Sequence, residues 1–100
     1  MAMAGTAPVS AADTHGAKLA RSNACLACHQ IDARRVGPPF REIGKRYAGA
    51  GDPAATIEYL AGTIQNGGRG RWGAIPMPAQ PRVSDADARA LAEWILNMGE

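Results

Sequence analysis

Residues 23–30 read NACLACHQ. Both cysteines of the chain, Cys25 and Cys28, and one of its two histidines, His29, fall within these eight positions. Two thiols three residues apart with a histidine directly behind them admit a disulfide, a metal site or a covalently bound cofactor. The chemistry of each, and the residues around the stretch, decide among them.

Cys25-Leu26-Ala27-Cys28-His29 fits C-x-x-C-H, the attachment pattern of c-type haem. Each thiol adds across a haem vinyl group to make a thioether, so both sulfurs must reach one edge of one flat macrocycle. Residues i and i+3 at a helix end share a face and meet that need. The histidine that follows can bring its imidazole under the ring as proximal iron ligand. The other readings meet obstacles. A disulfide across C-x-x-C closes too short a loop to stabilise much. A thioredoxin-like dithiol wants a βαβ context, and no strand signal precedes Cys25. Structural zinc takes four protein ligands, and only Cys25, Cys28, His29 and His15 are on offer, without a finger-like spacing.

Composition agrees with a bound apolar group. Hydrophobic residues make up 46% of the 100 residues, yet 21 of them are alanines and only 5% of the chain is aromatic. A single small domain with so few bulky side chains has little apolar surface to spare. The net charge of +2, without long Lys/Arg runs, is too small to argue for a nucleic-acid partner, and none is expected. No stretch approaches the roughly 18 apolar residues of a membrane span. The opening MAMAGTAPVSAADTHG lacks the basic and apolar regions of an intact signal peptide. Residues 1–13 therefore read as a mature or recombinant N-terminus, a flexible segment or linker from which any export signal would already be gone, and residues 14–100 as the folded domain.

Four helices and hardly any strand are expected. The first runs over about residues 14–27, with Asp13 or Thr14 as N-cap. A shorter one covers Phe40–Tyr47, after the VGPP turn at 36–39. In GDPAATIEYLAGTIQNGG, Asp52 is the N-cap, Pro53 takes the first helical position and Gly67-Gly68 stops the helix, with Ile57, Leu60 and Ile64 on one apolar face. In VSDADARALAEWILNMG, Ser84 is the N-cap, Asp87 offers a weak capping box, and Leu91, Trp94, Ile95 and Met98 form the buried stripe ended by Gly99. Between the last two helices, GGRGRWGAIPMPAQPR forbids regular structure over a length that is usually functional.

The second axial position of the iron separates gas or peroxide chemistry from electron transfer. His15 would sit about 20 Å upstream of His29 along the first helix, on the rise of an α-helix, and reads as a solvated helix-start residue. Met1 and Met3 lie in the N-terminal segment, and Met98 belongs to the apolar stripe. Met77 stands in IPMPAQP, where Pro76 and Pro78 hold the backbone extended on both sides. Met77 is the expected distal ligand. A thioether donor raises the reduction potential above that of bis-His haems.

With CLACH, VGPPF, NGGRGRWGAIPMPAQ and VSDADARALAEWIL in that order, the chain resembles the small bacterial class I monohaem cytochromes c from about Leu19 to Met98. The resemblance implies an all-α fold of about four helices around one haem c, attached through Cys25 and Cys28. It implies that the Pro38 carbonyl accepts a hydrogen bond from the His29 ring and that the Trp72 indole donates to a haem propionate. It also implies a pocket lined by Phe40, Leu60, Ile64, Leu91 and Ile95, with Trp94 packing the terminal helix. Relatives often carry an arginine on the third helix to pair with a propionate. Here that position holds Thr63, and Arg69 or Arg71 would have to substitute from the loop. Gln80 stands where an asparagine near the methionine sulfur is common, and PAQPRVS is one residue longer than usual.

The expected function is one-electron transfer between periplasmic redox partners such as a reductase or an oxidase, by a protein that is not an enzyme, is monomeric and has no transmembrane segment. A docking patch would lie around Cys25, Ala27, Ile75 and Pro76. Arg34, Arg35, Arg41, Lys45 and Arg46 could steer an acidic partner or simply solvate a surface. The main alternative is a cytochrome module of a larger redox enzyme, such as a nitrite reductase or dehydrogenase, tethered through GTAPVSAADTHG. A gas sensor or peroxidase-like protein with a labile Met77, and a dithiol oxidoreductase, are the others.

Overall fold

The computed structural model describes residues 15–99. The flexible segment or linker expected over residues 1–13, the Asp13/Thr14 cap, Met1 and Met3 lie outside the described residues. Four α-helices follow in order: α1 (His15–Ser22), α2 (Phe40–Tyr47), α3 (Pro53–Asn66) and α4 (Asp85–Asn97). Among the described residues the sole β-type pairing is an isolated antiparallel bridge between Gly68 and Met77.

The first helix is shorter than expected. Ser22 Oγ donates to the Lys18 carbonyl at 2.9 Å, and Asn23 Nδ2 donates to the Leu19 carbonyl at 2.9 Å. These side chains satisfy the last carbonyls locally and compete with helix continuation. Ala24 then adopts a left-handed conformation (φ 60), and Cys25–Ala27 form a separate 3₁₀ turn. The two thiols therefore sit on a turn after the helix, not on the helix.

The other three helices keep the expected bounds. Asp52 Oδ1 accepts from Ala54 N at 3.1 Å with Pro53 in the first turn, and Ser84 Oγ accepts from Asp87 N at 3.1 Å. Each such cap is worth about 1 kcal/mol. α4 is the hub and packs against α1, α2 and α3. The approach to α1 depends on Gly16, where a Cβ would fall 2.2 Å from Trp94 Cγ. Leu60, Ala61 and Ile64 of α3 face Ala88, Leu91, Ala92 and Ile95 of α4, joined by Phe40 and Val83 in one buried cluster. The α4 stripe is wider than Leu91, Trp94, Ile95 and Met98. Ala88, Ala92 and Leu96 are buried too, while Trp94 and Met98 are half-buried.

Candidate functional site

Residues 67–83 leave α3 at Gly67 and return to α4 without a helix of their own. They form one wall of a cleft of about 310 Å³; the 28–40 segment, α2, α3 and α4 complete it. Every ligand or pocket residue expected from the sequence lines this cleft: Cys25, Cys28, His29, Pro38, Phe40, Leu60, Ile64, Trp72, Met77 and Gln80. Leu91 and Ile95 line it as well. His15 is exposed at the start of α1, and Met98 packs against the core rather than the cleft.

The 3₁₀ turn presents both thiols. Cys25 and Cys28 are half-buried and unpaired, and the Cys28 and His29 amides both donate to the Cys25 carbonyl, at 3.1 and 2.9 Å. Burial pushes the Cys25 thiol above its ordinary pKa, although its own backbone and the nearby Arg82 charge pull the other way. Among the described residues no three of His, Cys, Asp and Glu gather as a metal site, so a zinc centre lacks the ligands it would need.

His29 is buried and held from two sides. Its Nδ1 lies 2.8 Å from the Pro38 carbonyl oxygen. A carbonyl only accepts, so Nδ1 carries the proton and Nε2 of the neutral ring keeps its lone pair for a metal. Phe40 stacks on the imidazole with centroids 5.1 Å apart. Gly37 lies against the same ring, where a Cβ would come within 2.5 Å of Cε1. The Gly37 amide donates to the Cys28 carbonyl at 2.7 Å, which ties the histidine's neighbours to the thiol turn.

Met77 lines the same cleft. Its amide donates to the Gly68 carbonyl at 2.7 Å, and the Gly68 amide returns the bond at 3.1 Å. Three residues on, the Gln80 amide donates to the Ile64 carbonyl at 2.9 Å. The prolines on either side thus extend a segment that is also pinned to the C-terminal end of α3. Two thiols, an oriented imidazole and a thioether on one largely apolar cleft make up the donor set that haem c takes.

Trp72 is half-buried on the same wall. The Arg46 guanidinium lies 4.4 Å from its ring centroid, and Arg46 Nη1 donates to the Arg71 carbonyl at 2.6 Å. Arg34 Nη2 donates to the Trp72 carbonyl at 3.2 Å, and Arg35 Nε to the Ala27 carbonyl at 3.0 Å. Arg41 forms an ion pair with Asp32. Of the five-residue cationic cluster expected to steer a partner, four members thus hold local structure as well. Tyr47 and Tyr59, whose rings sit 5.7 Å apart on the cleft, were not evident as site residues. The spacing of Phe40, Ile43 and Tyr47 along α2 is the signal that points to Tyr47; Tyr59 on α3 carries no such signal.

The sequence matches the cytochrome c family over residues 14–99. The chain belongs to the cytochrome c family. It is 54% identical over 82 residues to cytochrome c-552 of Nitrosomonas europaea, covering 82% of this chain and 77% of that relative. It is 48% identical over 81 residues to cytochrome c-551 of Azotobacter vinelandii, covering 81% of this chain and 94% of that protein. The crystal structure of the wild-type Nitrosomonas europaea cytochrome c552 superposes with a TM-score of 0.75 at 49% identity, covering 82% of this chain and 98% of that one. The fold is that of a class I cytochrome, and the protein is an electron carrier with covalent haem c, not an enzyme. Among the described residues no helix of this cytochrome is long and apolar enough to cross a membrane.

Proposed function

We propose that this cytochrome is a monomeric periplasmic carrier whose iron is closed by His29 and Met77. Haem c supplies a one-electron Fe(III)/Fe(II) couple. Cys25 and Cys28 hold its edge as thioethers. The Pro38 carbonyl fixes the tautomer and direction of His29, and Phe40 limits the tilt of the imidazole. The Gly68–Met77 bridge brings the thioether in on a backbone that has little freedom left. Leu60, Ile64, Leu91 and Ile95 exclude water from the cleft. Trp72 and Gln80 also line the cleft, where the Trp72 indole would bind a propionate and Gln80 would serve the methionine side of the group.

One observation supports this reading: the residues of the C-x-x-C-H turn and Met77 line the same cleft. A site closed on both faces passes electrons with little rearrangement and offers no place for a substrate. Docking would use exposed apolar residues of the cleft lining, Ile75 at 67% and Val36 at 52% exposure, together with the exposed Pro76 and Ala27. A small patch of this kind suits transient redox encounters with a reductase or an oxidase.

The test is chemical. After acid–acetone extraction the haem should stay with the polypeptide, and ferrous protein at neutral pH should not bind carbon monoxide. Extractable haem would remove the thioethers from the scheme, and ready carbon monoxide binding would remove the closed iron.

A further inference from the structure

Arg71 is half-buried on the cleft wall and serves neither the thiol turn nor the axial ligands. Its Nη1 donates to Thr63 Oγ1 at 2.6 Å, and its guanidinium lies 4.8 Å from the Tyr59 ring centroid. Thr63 Oγ1 donates in turn to the Tyr59 carbonyl at 3.0 Å, so the acceptor of Arg71 is itself fixed to α3. On the backbone side, Arg46 holds the Arg71 carbonyl. The guanidinium is thus braced at both ends of the residue.

Its charge has no counterpart among the described residues. The ion pairs among the described residues are Arg41–Asp32 and Arg89–Glu58, and no Asp or Glu lines the cleft. A partly desolvated cation without an anion is costly, and proteins ordinarily pair such groups. A guanidinium has five N–H donors, and Thr63 uses one. Arg69 also borders the cleft but is exposed and makes no side-chain hydrogen bond among the described residues.

We propose that Arg71 is the carboxylate-binding residue of the cleft and forms a charged hydrogen-bonded pair with one propionate of haem c. Thr63 and Tyr59 are its positioning residues. The pairing rests on the haem reading above. It also gives the position of Thr63 a role: a hydroxyl that holds a cation delivered from the loop instead of a cation on the helix.

The experiment uses holoprotein, with the midpoint potential followed against pH. An adjacent cation lowers a carboxyl pKa by about one to three units. In Arg71→Gln the pH below which the potential begins to rise should therefore move up by about that amount, and the potential at neutral pH should fall. Arg71→Lys should restore part of the shift, and Arg69→Gln should leave the profile of the parent. The other groups against Arg71 are Tyr47, Tyr59 and Arg46, with Arg34 beyond Trp72. Phenols and guanidinium groups change charge only in the alkaline range, outside an acid scan. If Arg71→Gln loads poorly, Thr63→Val should show a smaller shift of the same sign.

An unchanged profile in Arg71→Gln, or an equal shift in Arg69→Gln, overturns the pairing. A shift that disappears when phosphate buffer is replaced by a zwitterionic one assigns Arg71 to a solution anion and overturns it as well. Failure of the haem reading looks different, because the parent protein itself would then carry no covalent haem.

Discussion

Replacing Gly37 with alanine would test how tightly the proximal imidazole is held. The added Cβ would fall 2.5 Å from His29 Cε1 and 2.8 Å from Nδ1. Reaching an ordinary contact near 3.4 Å requires the ring to retreat by about 0.9 Å. A retreat directed away from Pro38 would stretch the 2.8 Å Nδ1···O bond to about 3.7 Å, beyond hydrogen-bond range. An unpartnered buried donor costs about 1–3 kcal/mol. The remaining overpacking costs about 1–3 kcal/mol. The two share one displacement, so a loss of about 2–4 kcal/mol is expected, or on the order of 10–25 °C in Tm for a domain of this size. Guanidinium unfolding of the holoprotein measures it. Gly62→Ala is the control: it lies in α3 with nothing within 4 Å of the new Cβ. That variant should gain about 0.5–1 kcal/mol. A loss below about 0.5 kcal/mol in Gly37→Ala, within the range of an inconsequential surface change, would refute the packing argument.

Two further predictions concern ionisation and cofactor loss. Burial first, and Tyr59 next, raise the Tyr47 phenol above its ordinary pKa, against the pull of Arg46 and Arg71. Above about pH 10 the unfolded chain therefore releases a proton that the folded one keeps, and stability falls as pH rises. Tyr47→Phe should flatten that fall in denaturant midpoints measured from about pH 9 to about pH 11, and an unaltered slope would clear Tyr47. The double variant Cys25→Ala, Cys28→Ala, produced without haem attachment, should lose most of its far-ultraviolet helical signal. Its cleft is bounded by the same Phe40, Leu60, Ile64, Leu91 and Ile95 that make up the core. A fully helical, cooperatively unfolding haem-free chain would contradict this.

Local chemistry made most of the fold legible. Asp52-Pro53 and Ser84 start their helices through a side-chain oxygen and a preset φ, both readable one residue at a time, and α3 and α4 fall where those signals put them. The end of α1 was not legible, because alanine-rich propensity carries a helical reading through Ser22 and Asn23. Their side-chain bonds to Lys18 and Leu19 end it instead. In the site, C-x-x-C-H and the proline-flanked methionine were visible because each carries its own chemistry. Arg71 could not be chosen over Arg69 from the sequence, since both are arginines in one glycine-rich loop. Only the placement of Thr63 and Tyr59 on α3 separates them.

The closed iron is tested most directly by the absorption spectrum of the oxidised protein beside that of Met77→Ala. The parent should show the weak near-infrared sulfur-to-iron charge-transfer band, and Met77→Ala should lose it while keeping covalent haem and gaining affinity for added ligands. A band absent from the parent, or unchanged after the substitution, would contradict axial ligation by Met77.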